Sequence, residues 1–158
     1  MQDTQMNVPH VLASSIALAA KKVVGFSMAE CNRQLVISNA EVITIQSKGS
    51  FASTMEFRLE LSLVEAILKG MKARQLEDTG MRESYLAEFV NIISGHALTA
   101  INNATEEISR LTVPRVGKEN AYEKQGLSDK FDTCFTSEYG KMEVLIEYSL
   151  NAVVYELT

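Results

Sequence analysis

The sequence contains no tryptophan, only two cysteines, two histidines and two prolines, and each scarcity narrows what the chain can be. Cys31 and Cys134 stand far apart in the chain and, with His10 and His96 equally scattered, supply neither a disulfide framework nor the clustered ligands of a zinc site. No metal site is therefore expected. The two cysteines, with seven methionines, suit a reducing cytosol. Pro9 and Pro114 are the only prolines, and no Ser/Gly/Pro-rich stretch divides the chain, so one domain over residues 1–158 is expected. Long apolar runs are also missing: Ser15 interrupts Val11 to Ala20, and Glu147 and Asn151 interrupt Val144 to Val154, which excludes a reading of either as a transmembrane helix. The opening MQDTQMNVPH lacks the basic start and apolar block of a signal peptide. A basic excess is absent as well. Fifteen Lys and Arg against twenty Asp and Glu give a net charge of -5, with no general attraction for a phosphate backbone or an anionic membrane. The expectation is a cytoplasmic protein with neither nucleic acid nor membrane as partner.

What is present is the material of a packed domain, 46% hydrophobic and 22% charged residues. Asn7 can cap a helix with Pro9 in its first turn, and Val8, Val11, Leu12, Ile16, Ala19, Ala20 and Val23 recur at helical spacing until Gly25 stops it. Short β-branched runs follow at Leu35 to Ser38, Val42 to Gln46 and, after Lys48, Gly49 and Ser50, Ser53 to Leu61. The last run sets Met55, Phe57, Leu59 and Leu61 on one face and Thr54, Glu56, Arg58 and Glu60 on the other. Ser62 can cap a short helix over Leu63 to Met71, and the strongest helical segment runs from about Met81 to Ala104. Strands are expected at Ile108 to Val113, Lys130 to Thr136 and, after a Tyr139, Gly140 turn, through Met142, Val144, Ile146 and Tyr148. Strands with one wet face, interspersed with helices, predict a two-layer α+β fold.

On the Met81 to Ala104 helix, at about 100° per residue, Ser84, Glu88, Asn91, Gly95, Thr99 and Asn102 share a narrow polar arc. Glu88 and Asn91 are three apart, so a carboxylate and a carboxamide stand side by side and point outward from a rigid support. Spacing alone favours an ordinary solvated face, on which neither needs a purpose. Gly95 costs a helix interior roughly 1 kcal/mol relative to alanine; close internal packing and the approach of a partner's backbone both explain it.

The segment EFVNIISGHA, Glu88 to Ala97, resembles the E-x-x-N-x-x-x-G helix of the CheC/CheX chemotaxis phosphatases, which dephosphorylate the response regulator CheY. The resemblance extends to the order of elements over the whole chain, from the N-terminal helix through FRLELS and the motif helix to KMEVLIEYSL. It implies a CheX-like arrangement: a mostly antiparallel sheet with the long motif helix and two shorter helices on one face. The first helix reads VLASSIALAA and carries no second acid and amide pair of the kind common in CheC proteins, so the single motif favours the CheX-like branch.

What the resemblance implies for chemistry is a substrate that carries most of the machinery: a phosphorylated CheY-like receiver domain whose own acidic residues hold Mg²⁺ and whose lysine contacts the phosphoryl group. This chain would need no cofactor of its own. Asn91 would position the attacking water, and Glu88 would engage the receiver lysine. Ser84, Gly95 and Thr99, with His96 at the edge of the arc, would contact the partner. The family often has asparagine where this chain has His96, and a partly buried, hydrogen-bonded histidine is the expectation there, with partner contact or proton relay as the alternative. A non-catalytic module that binds or scaffolds a receiver remains open at this point, as does a two-layer domain with an incidental E-x-x-N. Family members often dimerise across a sheet edge, and Met142 to Ser149 is the candidate edge for a homodimer.

Overall fold

The structure is a computed structural model that describes residues 6–31, 37–117 and 125–151. Helix α1, Val8–Val24, begins where Asn7 Oδ1 accepts the His10 N–H at 3.1 Å, and Pro9 occupies its first turn. It ends at Gly25, whose φ of 82° lies in the left-handed region and whose N–H reaches the Lys21 carbonyl at 2.9 Å. Lys21 and Lys22 in the last turn complement the negative end of the helix dipole. A short strand β1, Ala29–Cys31, follows; it has no counterpart among the sequence expectations.

Strands β2, Glu41–Gly49, and β3, Phe51–Leu59, form a hairpin with Ser47 opposite Ser53. Along β3 every second residue from Phe51 to Leu59 is buried, the alternation expected from the sequence. Of the expected strand Leu35 to Ser38, Leu35 and Val36 lie outside the described residues, and Ile37 and Ser38 are irregular chain. Leu61 was expected on the buried face of β3, but it is 56% exposed and opens helix α2, Leu61–Gly70. The strand stops at Leu59 because Glu60 turns to the neighbouring strand, its N–H donating to the Lys141 carbonyl at 3.1 Å while its Oε1 accepts the Lys141 N–H at 2.8 Å. Glu60, not Ser62, therefore occupies the cap position of α2, without a side-chain cap bond.

Helix α3, Thr79–Thr105, starts at Asp78, whose Oδ1 accepts the N–H groups of Gly80 and Met81 at 2.8 and 3.3 Å. Beyond it lie β4, Ser109–Leu111, and β5, Arg115–Val116, which both pair with β2, then β6, Asp129–Ser137, and β7, Gly140–Leu150. Ser137 Oγ shapes the β6–β7 turn by accepting from Tyr139 N and Gly140 N and donating to the Gly140 carbonyl.

Among the described residues all pairings are antiparallel, in one seven-stranded sheet of order β1-β6-β7-β3-β2-β4, with β5 beside β4 on β2. Helices α1, α2 and α3 cover one face. Ile43, Ile45, Met55, Phe57, Phe135, Met142, Val144 and Ile146 from that face join Leu12, Ile16, Ile67, Phe89, Ile93 and Ile101 from the helices in one core. The α+β class, the mostly antiparallel sheet and the helix-covered face all agree with expectation. The candidate edge does not: β7 is paired on both sides, with β3 along nine register pairs and with β6 along nine more, and cannot offer a free edge.

Two close approaches depend on glycine. A Cβ at Gly49 would lie 2.8 Å from the Ile108 carbonyl oxygen, where β4 pairs with the end of β2, and one at Gly70 would overlap the Val24 carbonyl oxygen, where α2 meets the end of α1. Gly70→Ala is thus expected to destabilise the fold by about 1–3 kcal/mol through overpacking, although alanine gains roughly 1 kcal/mol in helix propensity. Thermal or urea unfolding measures this, and an unchanged or raised melting temperature would contradict the α1–α2 contact.

Candidate functional site

Helix α3 is anchored along one side and open along the other. Leu86, Phe89, Val90, Ile93, Ser94, Ala97, Leu98 and Ile101 are buried, and Arg82 pairs with Glu65 of α2. This leaves the opposite strip as the helix's outward surface. Ser84, Glu88, Asn91, His96 and Thr99 are exposed and Gly95 is half-buried. Glu88 and Asn91, adjacent on that surface with Cβ atoms about 5–6 Å apart by helix geometry, have no hydrogen-bond or ion-pair partner among the described residues. An acceptor-only carboxylate and a carboxamide that both donates and accepts are thus presented uncommitted, on a helix that packing holds rigid. An incidental pair half-sunk in the core would have its polar groups engaged internally, which is not the case here.

The other members of the strip divide. Ser84 Oγ and Thr99 Oγ1 donate back to the carbonyls of Gly80 and Gly95 at 3.0 and 2.8 Å, spending their protons within the helix while the oxygens still face outward as acceptors. Asn102 does not belong to an outward site. Its carboxamide donates to the Ser109 carbonyl at 3.2 Å and accepts the Ser109 N–H at 3.0 Å, clamping β4 against α3. Ser109 Oγ in turn accepts the Phe51 N–H at 2.9 Å, so the clamp continues into the β2–β3 hairpin. His96 was expected partly buried and hydrogen-bonded; it is instead exposed and without a partner among the described residues, because the helix turns it away from both the core and β4.

Gly95 is not required by internal packing. A Cβ there would meet only Leu111 Cδ1, at 3.9 Å, an ordinary contact. The expected strand Ile108 to Val113 is found as β4, and its place beside the strip was not foreseen: Leu111 lies beside Gly95, and Pro114, Arg115 and Val116 face Gly80, Glu83, Ser84 and Ala87 across an open hollow of about 460 Å³. A two-residue strand such as β5 carries no readable alternation. Among the described residues no group of three or more His, Cys, Asp or Glu side chains is placed to hold a metal ion. No helix among them is long and apolar enough to cross a membrane.

The fold set out above is shared with solved chemotaxis proteins. CheX from Vibrio vulnificus superposes with a TM-score of 0.73 at 14% identity, covering 94% of this chain and 100% of that one. CheX from Desulfovibrio desulfuricans gives 0.70 at 12% identity over 91% and 100% of the two chains. A chain of the CheX-CheY-BeF3-Mg²⁺ complex from Borrelia burgdorferi gives 0.72 at 14% identity over 91% and 99%. No protein-family model matches the sequence, and no curated protein matches it. The chain therefore has the CheX-like fold of chemotaxis proteins, recognised through structure at identities that show the fold alone.

Two substitutions separate the structural from the outward members of the strip. Gly95→Gln is expected to leave the melting temperature normal or raised, since glycine costs roughly 1 kcal/mol in a helix and the site has room. Asn102→Ala is expected to cost about 1–3 kcal/mol by leaving the Ser109 backbone groups without partners. Early melting of Gly95→Gln, or normal melting of Asn102→Ala, in differential scanning calorimetry would reverse the division.

Proposed function

We propose that this chain is a phosphatase for the phosphoaspartate of a CheY-like receiver domain, docking through α3. The observation that carries the reading is the exposed, uncommitted pair Glu88 and Asn91, in an E-x-x-N-x-x-x-G segment on the helix of a CheX-like fold. A solved chain of the same fold, in the complex with CheY, BeF3 and Mg²⁺, supports a receiver as the partner. In this reading the Mg²⁺ belongs to the receiver, whose own acidic residues hold it, and this chain brings no cofactor. The protein acts in the cytoplasm. It works as a homodimer, and with β7 inside the sheet the two copies join elsewhere than along that strand.

Hydrolysis of an acyl phosphate requires a water in line with the P–O bond that breaks, so that the aspartyl carboxylate leaves as the water oxygen bonds to phosphorus. Orientation and charge stabilisation dominate such a transfer. Asn91 suits the task because its carboxamide accepts from the water and donates toward a phosphoryl oxygen without adding negative charge. Glu88 lies one turn behind and would repel a phosphoryl group unless a cation met it. Pairing with the receiver's lysine supplies that cation and fixes the helix over the site. Ser84, Thr99 and His96 extend the contact along the strip, and Gly95 lets the partner approach closely. The histidine at 96, where the family often has asparagine, and the short element lengths favour the second reading, a module that binds a receiver without hydrolysis.

Asn91→Ala is expected to slow receiver dephosphorylation by ~10²-fold or more, the effect of losing one preorganised contact to a transition state, with the fold intact because the side chain is exposed. Gly95→Gln should lose turnover to a similar degree, since displacement of reacting groups by about an ångström costs ~10²-fold. Phosphate release from a phosphorylated receiver measures both, and wild-type rates in Asn91→Ala would end the water-positioning role. Glu88→Ala is expected to weaken receiver binding as well as turnover. A double-mutant cycle with the receiver's lysine tests the pairing, and additive effects would exclude it.

A further inference from the structure

The sequence separates Cys31 and Cys134 widely, yet the sheet brings them face to face. Cys31 closes β1 and Cys134 lies within β6, and the two are direct register partners. Opposed residues on antiparallel strands have Cα atoms about 4.5–5.5 Å apart, within the roughly 4.4–6.8 Å that a disulfide spans. Their side chains also project to the same face. That face is the one away from the helices, because Phe135 next to Cys134 and Val144 and Met142 on β7 point into the core while Cys134 pairs across to Glu143. The thiols lie within hydrogen-bonding reach, the Cys134 S–H donating to the Cys31 sulfur. Both are reduced, Cys31 half-buried and Cys134 buried.

We propose that Cys31 and Cys134 form a dithiol site that low-molecular-weight disulfides oxidise to an intramolecular cross-strand bond, with Cys31 attacking first and Cys134 resolving. Exposure sets this order. Cys31 is half-buried where Cys134 is buried, so it is the thiol that a small disulfide meets first. Burial, the neighbouring Cys31 and the Glu143 carboxylate push the Cys134 thiol up to about 12, against a smaller opposing effect of the Lys141 ammonium, so it holds its proton and is a poor first nucleophile. In the first step the Cys31 thiolate attacks one sulfur of the small disulfide, forming a mixed disulfide and releasing one small thiolate. In the second, Cys134 gives its proton to solvent as its sulfur attacks that of Cys31, releasing the second small thiolate. Two protein thiols are oxidised and one small disulfide is reduced to two thiols. The bond would fasten β1, which among the described residues is an edge strand paired only with β6, by three register pairs. It would leave the outward strip of α3, on the other side of the sheet, untouched.

The test incubates the full reduced chain with glutathione disulfide and counts thiols by alkylation after denaturation. The wild type is expected to go from two free thiols to none, with a Cys31–Cys134 link in the non-reducing peptide map, no glutathione adduct and full reversal by dithiothreitol. Cys134→Ser is expected to stop at a glutathione adduct on Cys31, and Cys31→Ser to leave Cys134 reacting at least ~10-fold more slowly than Cys31 does. Amide exchange at Glu30 and Cys31 should slow by ~10-fold or more on oxidation. Separate glutathione adducts in the wild type, links between chains, or surviving thiols would overturn the proposal, and the wild-type chain alone decides it. Unchanged exchange at β1 would overturn the fastening.

Discussion

Burial of one side of a 27-residue helix organises the rest of this molecule. From Leu86 to Ile101 the inner side of α3 is closed against α1, α2 and the sheet, with Phe89, Val90, Ile93 and Ala97 fully enclosed. Such packing removes the helix's freedom to roll or bend, because interiors are as dense as organic crystals and have only discrete arrangements. The outward residues are thereby held in fixed order without interactions of their own. Glu88 and Asn91 can remain uncommitted in a rigid setting only because the positions between them, Phe89 and Val90, are locked in the core.

The same constraint explains how the strip is bordered. Asn102, one turn beyond Thr99, turns its carboxamide to the Ser109 backbone, and Ser109 passes the connection to Phe51 in the β2–β3 hairpin. The segment from β4 to β5 therefore lies along α3 as a wall, with Leu111 beside Gly95 and Arg115 and Val116 beside Ser84. Gly49 permits the pairing of β4 with β2, since any side chain there would strike the Ile108 carbonyl. A helix face with an adjoining wall is a shape into which a folded domain can seat, and the proposed receiver would meet Glu88 and Asn91 at its middle.

Much of this was legible in the sequence because local chemistry and tertiary demand agree. Asn7, Pro9 and Gly25 bound α1 as their capping chemistry dictates, and the alternation through Met55, Phe57 and Leu59 is that of a strand with one buried face. The outward position of Glu88 and Asn91 follows from periodicity alone. Failures occurred where a distant partner decides. Leu61 continues the β3 alternation, but the bonds between Glu60 and Lys141 end the strand first. Asn102 shares the polar arc by angle, yet β4 captures it. No pattern in three residues announces β1, and nothing local says that β7 is paired on both sides or that Cys31 faces Cys134. His96, at the edge of the polar arc, was expected partly buried and hydrogen-bonded; its angle carries it outward instead.

The central claim is that the strip on α3 acts on a phosphorylated receiver rather than merely lying in solvent. The most direct measurement is the lifetime of the phosphoaspartate on receiver domains from the same organism, followed with and without the full wild-type chain. The account predicts that at least one receiver loses its phosphoryl group faster by ~10²-fold or more when the chain is present in trace amount, a catalytic effect of the size expected from a positioned water. Lifetimes that stay unchanged for every receiver, including any that binds the chain, would contradict it.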